Sequence, residues 1–157
     1  IQWSSLISGA WCYYKNNSGY NNPNGKLYNW YVVNNPNQIC PVNWHMPSEV
    51  ELNSLVTILG GASVAGGKLK AIGNTYWLPP NFGATNLSGF NGVGAGRRHS
   101  GSPNIYFDLI NESTIYWGST QGSNQTSITL SLDNLTSASS IGFYQNYSGL
   151  SIRCLKD

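Results

Sequence analysis

Between residues 47 and 61 the apolar side chains recur mostly at steps of three and four, and the polar residues flanking them mark where a helix starts and stops. Val50, Leu52, Leu55, Val56 and Leu59 form one broad apolar stripe, the spacing of a helix with a single buried face. Ser48 is a natural N-cap and Glu51, three residues on, completes a Ser-x-x-Glu capping box. Pro47 keeps the preceding chain extended, and the Gly60-Gly61 pair supplies a left-handed stop. The pattern predicts one main amphipathic helix of about three turns, from Ser48 to Leu59.

Elsewhere the pattern is shorter in range. Trp3, Leu6 and Ile7 have helical spacing, and the bulky run 11–14 suits a strand. The stretch KNNSGYNNPNG, residues 15–25, is a turn-rich loop in which no core is expected. Residues 27–33 fit a helical face through Leu27, Trp30 and Tyr31 and a strand through Tyr28, Trp30 and Val32; a short helix is expected. Residues 34–38 read as a turn and 64–72 as one or two helical turns, before Trp77-Leu78-Pro79-Pro80 ends regular structure. From Gly83 to Gly96 the chain is a glycine-rich loop, followed by Arg97, Arg98 and His99 in the same irregular stretch. No Gly-Lys-Ser/Thr follows these glycines, so nucleotide binding is discarded. Residues 105–107, 115–117, 127–132, 140–144 and 150–154 are β-rich, separated by polar turns, and predict short antiparallel strands in the second half.

At 157 residues the chain fits one domain. Only 9% of residues are charged, while Asn and Ser contribute about 20 each; a 13% aromatic share argues against disorder. A net charge of +2 with dispersed Lys and Arg lacks the footprint of a nucleic-acid binder. No apolar run approaches the ~20 residues of a membrane span, and no basic-then-apolar leader opens the chain; either a leader is removed or the chain is not exported. Cys12, Cys40 and Cys154 are too few and too far apart for a CxxC-type zinc site. Two of them paired, or three buried thiols, both fit the residues.

Several ordered blocks carry a resemblance. Cys40-Pro41-x-x-Trp44-His45-x-Pro47-Ser48, the preceding Gly9-Ala10-Trp11-Cys12-Tyr13-Tyr14 and Gly25-Lys26-Leu27-Tyr28-Asn29-Trp30-Tyr31, then Ala65-Gly66-Gly67-Lys68-Leu69-Lys70, Gly83-Ala84-Thr85-Asn86-x-Ser88-Gly89-Phe90 and the ending Ser151-Ile152-Arg153-Cys154-Leu155-Lys156-Asp157 resemble the Fibrobacter succinogenes major paralogous domain family. That family is similar to the C-type-lectin-like fold in its formylglycine-generating-enzyme branch. The resemblance implies an α+β class, a single C-type-lectin-like domain over residues 1–157, and a secreted or cell-surface location. It also implies an oxidising compartment with a Cys40–Cys154 disulfide and Cys12 left free. Strands usual ahead of the Trp3 region are missing, so an open sheet edge along 150–154, covered by a neighbouring subunit or a further segment, is expected.

The family's oxidase relatives depend on a pair of reactive cysteines in a context that Cys12, Cys40 and Cys154 do not match, so an oxidase is only a remote alternative. Glu-Pro-Asn and Trp-Asn-Asp calcium signatures do not occur, and no cofactor or metal is expected. His45 reads as a packed or capping histidine, and the six acids are scattered, two of them in the first turn of the helix; no general acid/base pair is evident. What remains is a surface of amides, hydroxyls and aromatic rings. The expected function is a non-catalytic extracellular module recognising a glycan or protein surface through glycine-rich and C-terminal loops. Arg97, Arg98, His99, Tyr106, Asn124, Tyr144 and Asn146 are the candidate contacts, since the resemblance implies a ligand face in the second half. A structural subunit of a filament, coat or virion appendage, with copies of the chain as partners, is the alternative. Trp11, Trp30, Trp44, Trp77 and Trp117 are expected to be mostly buried and structural.

Overall fold

The computed structural model describes residues 3–35, 39–100 and 105–157. In chain order its elements are β1 (Trp11–Cys12), β2 (Leu27–Tyr28), β3 (Trp44–His45), α1 (Glu49–Ile58), α2 (Ala62–Leu69), β4 (Ala95–Ser100), β5 (Ile105–Ile110), β6 (Ser113–Gln121), β7 (Thr126–Asp133), β8 (Ser139–Gln145) and β9 (Leu155–Lys156). Single 3₁₀ turns, among them Tyr14–Asn16 and Trp30–Val32, fill the first third. The main sheet has the order β5-β4-β6-β7-β8, antiparallel except for the β4–β6 pairing, and two two-stranded ribbons, β1–β2 and β3–β9, flank it.

Two faces of this sheet carry two cores. On β7, Ile128, Leu130 and Leu132 alternate with polar residues and pack with Tyr116 against Leu52 and Val56 of α1, Ala65 and Leu69 of α2, and Trp77. One residue either side of Tyr116, Ile115 and Trp117 point to the opposite face and meet Trp30, Cys40, Met46 and Leu150. A third cluster, Trp3, Cys12, Tyr14 and Leu27, closes the N-terminal end. The buried indoles donate their N–H groups: Trp117 to Tyr28 O at 2.8 Å, Trp30 to Gly118 O at 3.0 Å and Trp77 to Gly92 O at 2.9 Å.

The fold is therefore mostly β, and the expected α+β, C-type-lectin-like architecture is corrected. The helices span only 10 and 8 residues, while residues 95–100, read from sequence as part of a loop, form β4 and join the second-half strands in one curled mixed sheet. The helix at Ser48 forms with its capping box: Ser48 Oγ accepts from Glu51 N and Glu51 Oε2 accepts from Ser48 N at 2.8 Å. Residues 27–33 split into β2 and a 3₁₀ turn instead of one short helix, and part of the expected 34–38 turn lies outside the described residues.

The run 150–154 is not an edge strand. Leu150 exchanges both backbone hydrogen bonds with Tyr28, and Ser151 donates to Ile115 O and accepts from Trp117 N. Its backbone is satisfied from two sides within the chain, so the expected open edge is absent at these two residues; the strand proper, β9, lies further on and pairs with β3. Trp11 and Trp44 are also corrected: both are exposed, at 49% and 40%. In the ribbon β1–β2 the residue turned inward is Cys12, and alternation puts Trp11 outside.

Packing of α2 explains its two glycines. A Cβ on Gly66 would lie 2.0 Å from Ala138 O, and one on Gly67 2.2 Å from Gly83 O; only a bare backbone lets the helix approach closely enough for Gly67 N to donate to Ser137 O at 2.8 Å. Just beyond, Lys70 is fully buried, and its ammonium donates to the carbonyls of Phe82, Asp133 and Thr136 at 3.0, 2.7 and 2.8 Å. Its Nζ also lies 5.6 Å from the centre of the Trp77 ring. Burial pushes the Lys70 pKa down, and Asp133 partly offsets this.

Cys40 and Cys154 form the disulfide, Cα–Cα 5.8 Å, closing 114 residues of sequence; Cys12 is free and buried. Thiol titration under denaturing, non-reducing conditions should find one free thiol. Reduction should lower the unfolding free energy by about 4–5 kcal/mol in the chain-entropy account, measured by urea titration with and without reductant. Lys70→Met keeps the apolar stem and strands three carbonyls. It should cost about 3–5 kcal/mol in the same titration, and a loss below about 1 kcal/mol would refute the anchoring role given to the ammonium.

Candidate functional site

An open groove of about 520 Å³ runs across the end of the main sheet. One wall is the loop before β2, with Asn22, Asn24, Lys26 and then Tyr28; the other is the segment before β4, with Asn91 and Val93, together with Tyr76; Tyr116, Ala95 and Ser151 lie between them, and Arg153 completes the lining. Each wall is fixed by its own backbone. Gly25 turns with φ 77° and donates to Asn21 O, and Asn24 Nδ2 donates to Gly94 O at 3.3 Å, tying one wall to the other. Opposite, Gly92 donates to Leu69 O and accepts from Ala71 N, and Asn91 N donates to Asn86 Oδ1 at 2.8 Å.

The groove is rich in hydrogen-bonding groups and has no acidic side chain: none of the six Asp and Glu residues lines it. Burial pushes the Tyr116 phenol up, and burial with nearby Tyr13 does the same to Tyr28; both keep their protons. Ser151 is 6% exposed, and its hydroxyl has no hydrogen-bond partner among the described residues. Lys26 Nζ stands 3.9 Å from the centre of the exposed Trp11 ring, and the Arg153 guanidinium lies 4.7 Å from that of Phe90 while donating to Phe90 O.

The contacts expected from sequence fall into three groups. Arg97, His99, Tyr106 and Tyr144 come together on β4, β5 and β8: Arg97 forms a two-pronged pair with Asp108 at 2.9 and 3.0 Å and donates to the Tyr144 hydroxyl, and the His99 and Tyr106 rings sit 4.8 Å apart. The Asp108 carboxylate raises the Arg97 pKa and occupies its fork, so this arginine is already answered within the chain. His99 and Tyr144 border a smaller pocket of about 180 Å³ with Phe143, Gln145, Tyr147 and Ser148. Asn124 stands apart, exposed, at the β6–β7 turn with φ 53°. Arg98 and Asn146 are buried: Arg98 lies over Trp3 at 4.4 Å and Phe107 at 5.4 Å, and Asn146 Oδ1 accepts from Ser127 Oγ at 2.7 Å.

Most of the groove was missed in the sequence. Asn22, Asn24 and Lys26 belong to the turn-rich loop and its exit, and nothing in a run of Asn and Gly marks which amides will face Asn91 across a groove. Arg153 was visible only as part of a terminal motif.

Other reactive groups are held. Burial raises the Cys12 thiol's pKa, with Arg98 pulling partly against it, which keeps the sulfur protonated and a poor nucleophile. Among the described residues no cluster of three or more His, Cys, Asp or Glu side chains could hold a metal ion, and no helix is long and apolar enough to cross a membrane.

Fold and groove together define a β-rich, disulfide-closed protein with an open site lined by amides and phenols. The chain belongs to the Fibrobacter succinogenes major domain family, whose family model matches residues 3–156. Comparison with curated proteins and with solved structures gives no match.

His45, expected to be a packed or capping histidine, does not cap α1, whose N-cap is Ser48; it pairs with two carboxylates instead. Its Nδ1 meets Asp157 Oδ1 at 2.5 Å and its Nε2 meets Glu51 Oε1 at 2.9 Å, clamping Asp157 to the start of α1. Asp157 and Glu51 raise the imidazole pKa above 6.5, while the Ser48 cap and His45 lower the Glu51 pKa to about 2. The imidazolium contribution is complete below pH 6.5 and is lost as pH rises through the raised value. The Glu51 contribution is complete above 4.5 and is lost as pH falls toward 2. The melting-temperature gap between wild type and His45→Ala should be widest near pH 5–6 and narrow by pH 9; a gap that stays constant across that range would disprove the charged clamp.

Proposed function

We propose that this chain is a non-catalytic extracellular module that binds carbohydrate in the groove between the loop at 22–26 and the segment at 91–95. The observation that carries the reading is the lining itself: amides of Asn22, Asn24 and Asn91 and phenols of Tyr28 and Tyr76 around an open volume of about 520 Å³. Amides offer paired donors and acceptors, and tyrosine combines an apolar face with a hydroxyl; together they match the alternating C–H and O–H surface of a sugar. The volume falls within the range of small-molecule sites. Glycoside hydrolysis commonly needs two flanking carboxylates, and this lining has none, which favours binding over cleavage. The Cys40–Cys154 bond favours an oxidising location, where such links persist.

A second reading, association of copies of the chain, is supported by the outer face of α1, where Val50 and Ile58 are 74% and 82% exposed. With 9% charged residues the repulsion between copies is low. Sedimentation over a range of concentrations, with Val50→Asp and Ile58→Asp as comparison, tests it: concentration-dependent association abolished by the acids is the expected result.

For the carbohydrate reading, a glycan array with follow-up titration should find a ligand whose affinity falls by about tenfold or more in Tyr76→Ala and Asn91→Ala and stays at the wild-type value in Tyr144→Ala. The reverse pattern would move the site to the Arg97–Tyr144 cluster.

A further inference from the structure

Resting on the carbohydrate reading, we infer that the groove selects anionic saccharides, those bearing a carboxylate or a sulfate. Lys26 and Arg153 both line it, and none of the six acidic residues does. Elsewhere in the chain Arg97 is answered by Asp108 and Lys70 by three carbonyls, while buried Arg98 lies on the Trp3 and Phe107 rings, outside the groove lining. Lys26 and Arg153 lean on the Trp11 and Phe90 rings, Arg153 also donating to Phe90 O, contacts that position a cation and bring no negative charge to it.

The uncharged groups point the same way. Asn91 Oδ1 accepts from Asn86 Nδ2, which leaves the Asn91 amide N–H groups as donors. The Tyr28 and Tyr116 phenols keep their protons, and the Ser151 hydroxyl is buried without a partner among the described residues. Two cations with no acidic side chain in the lining, beside these donors, suit a ligand whose anionic oxygens accept several hydrogen bonds at once. A neutral sugar brings no negative charge to meet the two cations.

Titration calorimetry with two matched pairs tests this: polygalacturonate against its fully methyl-esterified form, and sulfated dextran against dextran. At least one charged member should bind about tenfold or more tightly than its neutral counterpart, and the pair that responds tells carboxylate from sulfate. That advantage should shrink as salt rises from roughly 0.05 to 0.5 M. It should drop about fivefold or more in Lys26→Gln and in Arg153→Gln, and Arg153→Lys should restore part of it. Circular dichroism of each variant checks the fold. Equal binding of charged and neutral members would overturn the anion selectivity and leave the carbohydrate reading standing. Charged-polymer binding unchanged in both Gln variants would overturn the assignment to this groove. Binding to none of the four polymers would overturn both.

Discussion

Strand β6 must be covered on both of its faces, and most of the chain is arranged to do so. Residues 113–118 are buried without interruption, so Tyr116 needs a core on one side and Ile115 with Trp117 need another on the opposite side. The first is made by the two helices, which follow the capping box at Ser48. The second is made by Trp30, Met46 and the returning chain at Leu150. A strand in this position cannot use its own alternation to separate inside from outside. Two of its polar groups find partners in neighbouring segments: Ser113 Oγ donates to Leu132 O at 2.9 Å, and the Trp117 indole donates to Tyr28 O.

The two cores are joined by polar anchors as well as by apolar contact. On the helix side the Lys70 ammonium holds three carbonyls from two segments far apart in sequence, at 82 and at 133–136. An ammonium offers three donors, and here each has an acceptor, which offsets the desolvation that lowers its pKa. On the other side the Cys40–Cys154 link fixes the returning chain beside Trp30 and Trp117. Between these anchors the run 149–151 pairs in turn with Arg98, Tyr28 and Tyr116, so that one short segment connects β4, β2 and β6.

The groove is a product of those same connections. Its walls come from the loop before β2 and the segment before β4, and Tyr116 and Ser151 in its lining are where the returning chain meets β6. The site is thus built on the most constrained part of the protein while its lining amides remain at the surface. That combination would limit the ordering cost of binding under the reading proposed above, because the lining segments are already held by backbone hydrogen bonds.

The α1 helix was legible in sequence because every signal for it is local: cap, apolar period and glycine stop lie within about three turns. The β-rich runs of the second half were legible for the same reason, through alternation and turn residues. The Cys40–Cys154 pairing followed from the resemblance, not from residue spacing. Tertiary structure decided what depends on distant partners. Residues 95–100 became a strand because β5 and β6 were there to pair with them, despite the glycines before them. Leu150 and Ser151 were drawn between β2 and β6 instead of forming an edge, Trp11 turned outward because Cys12 took the inner position, and Lys70, an ordinary surface residue by composition, was buried because three carbonyls converged on it. The groove belongs to this second kind. The loop carrying Asn22 and Lys26, then Asn91, then Arg153 lie far apart along the chain, and no local pattern records that folding places them around one volume.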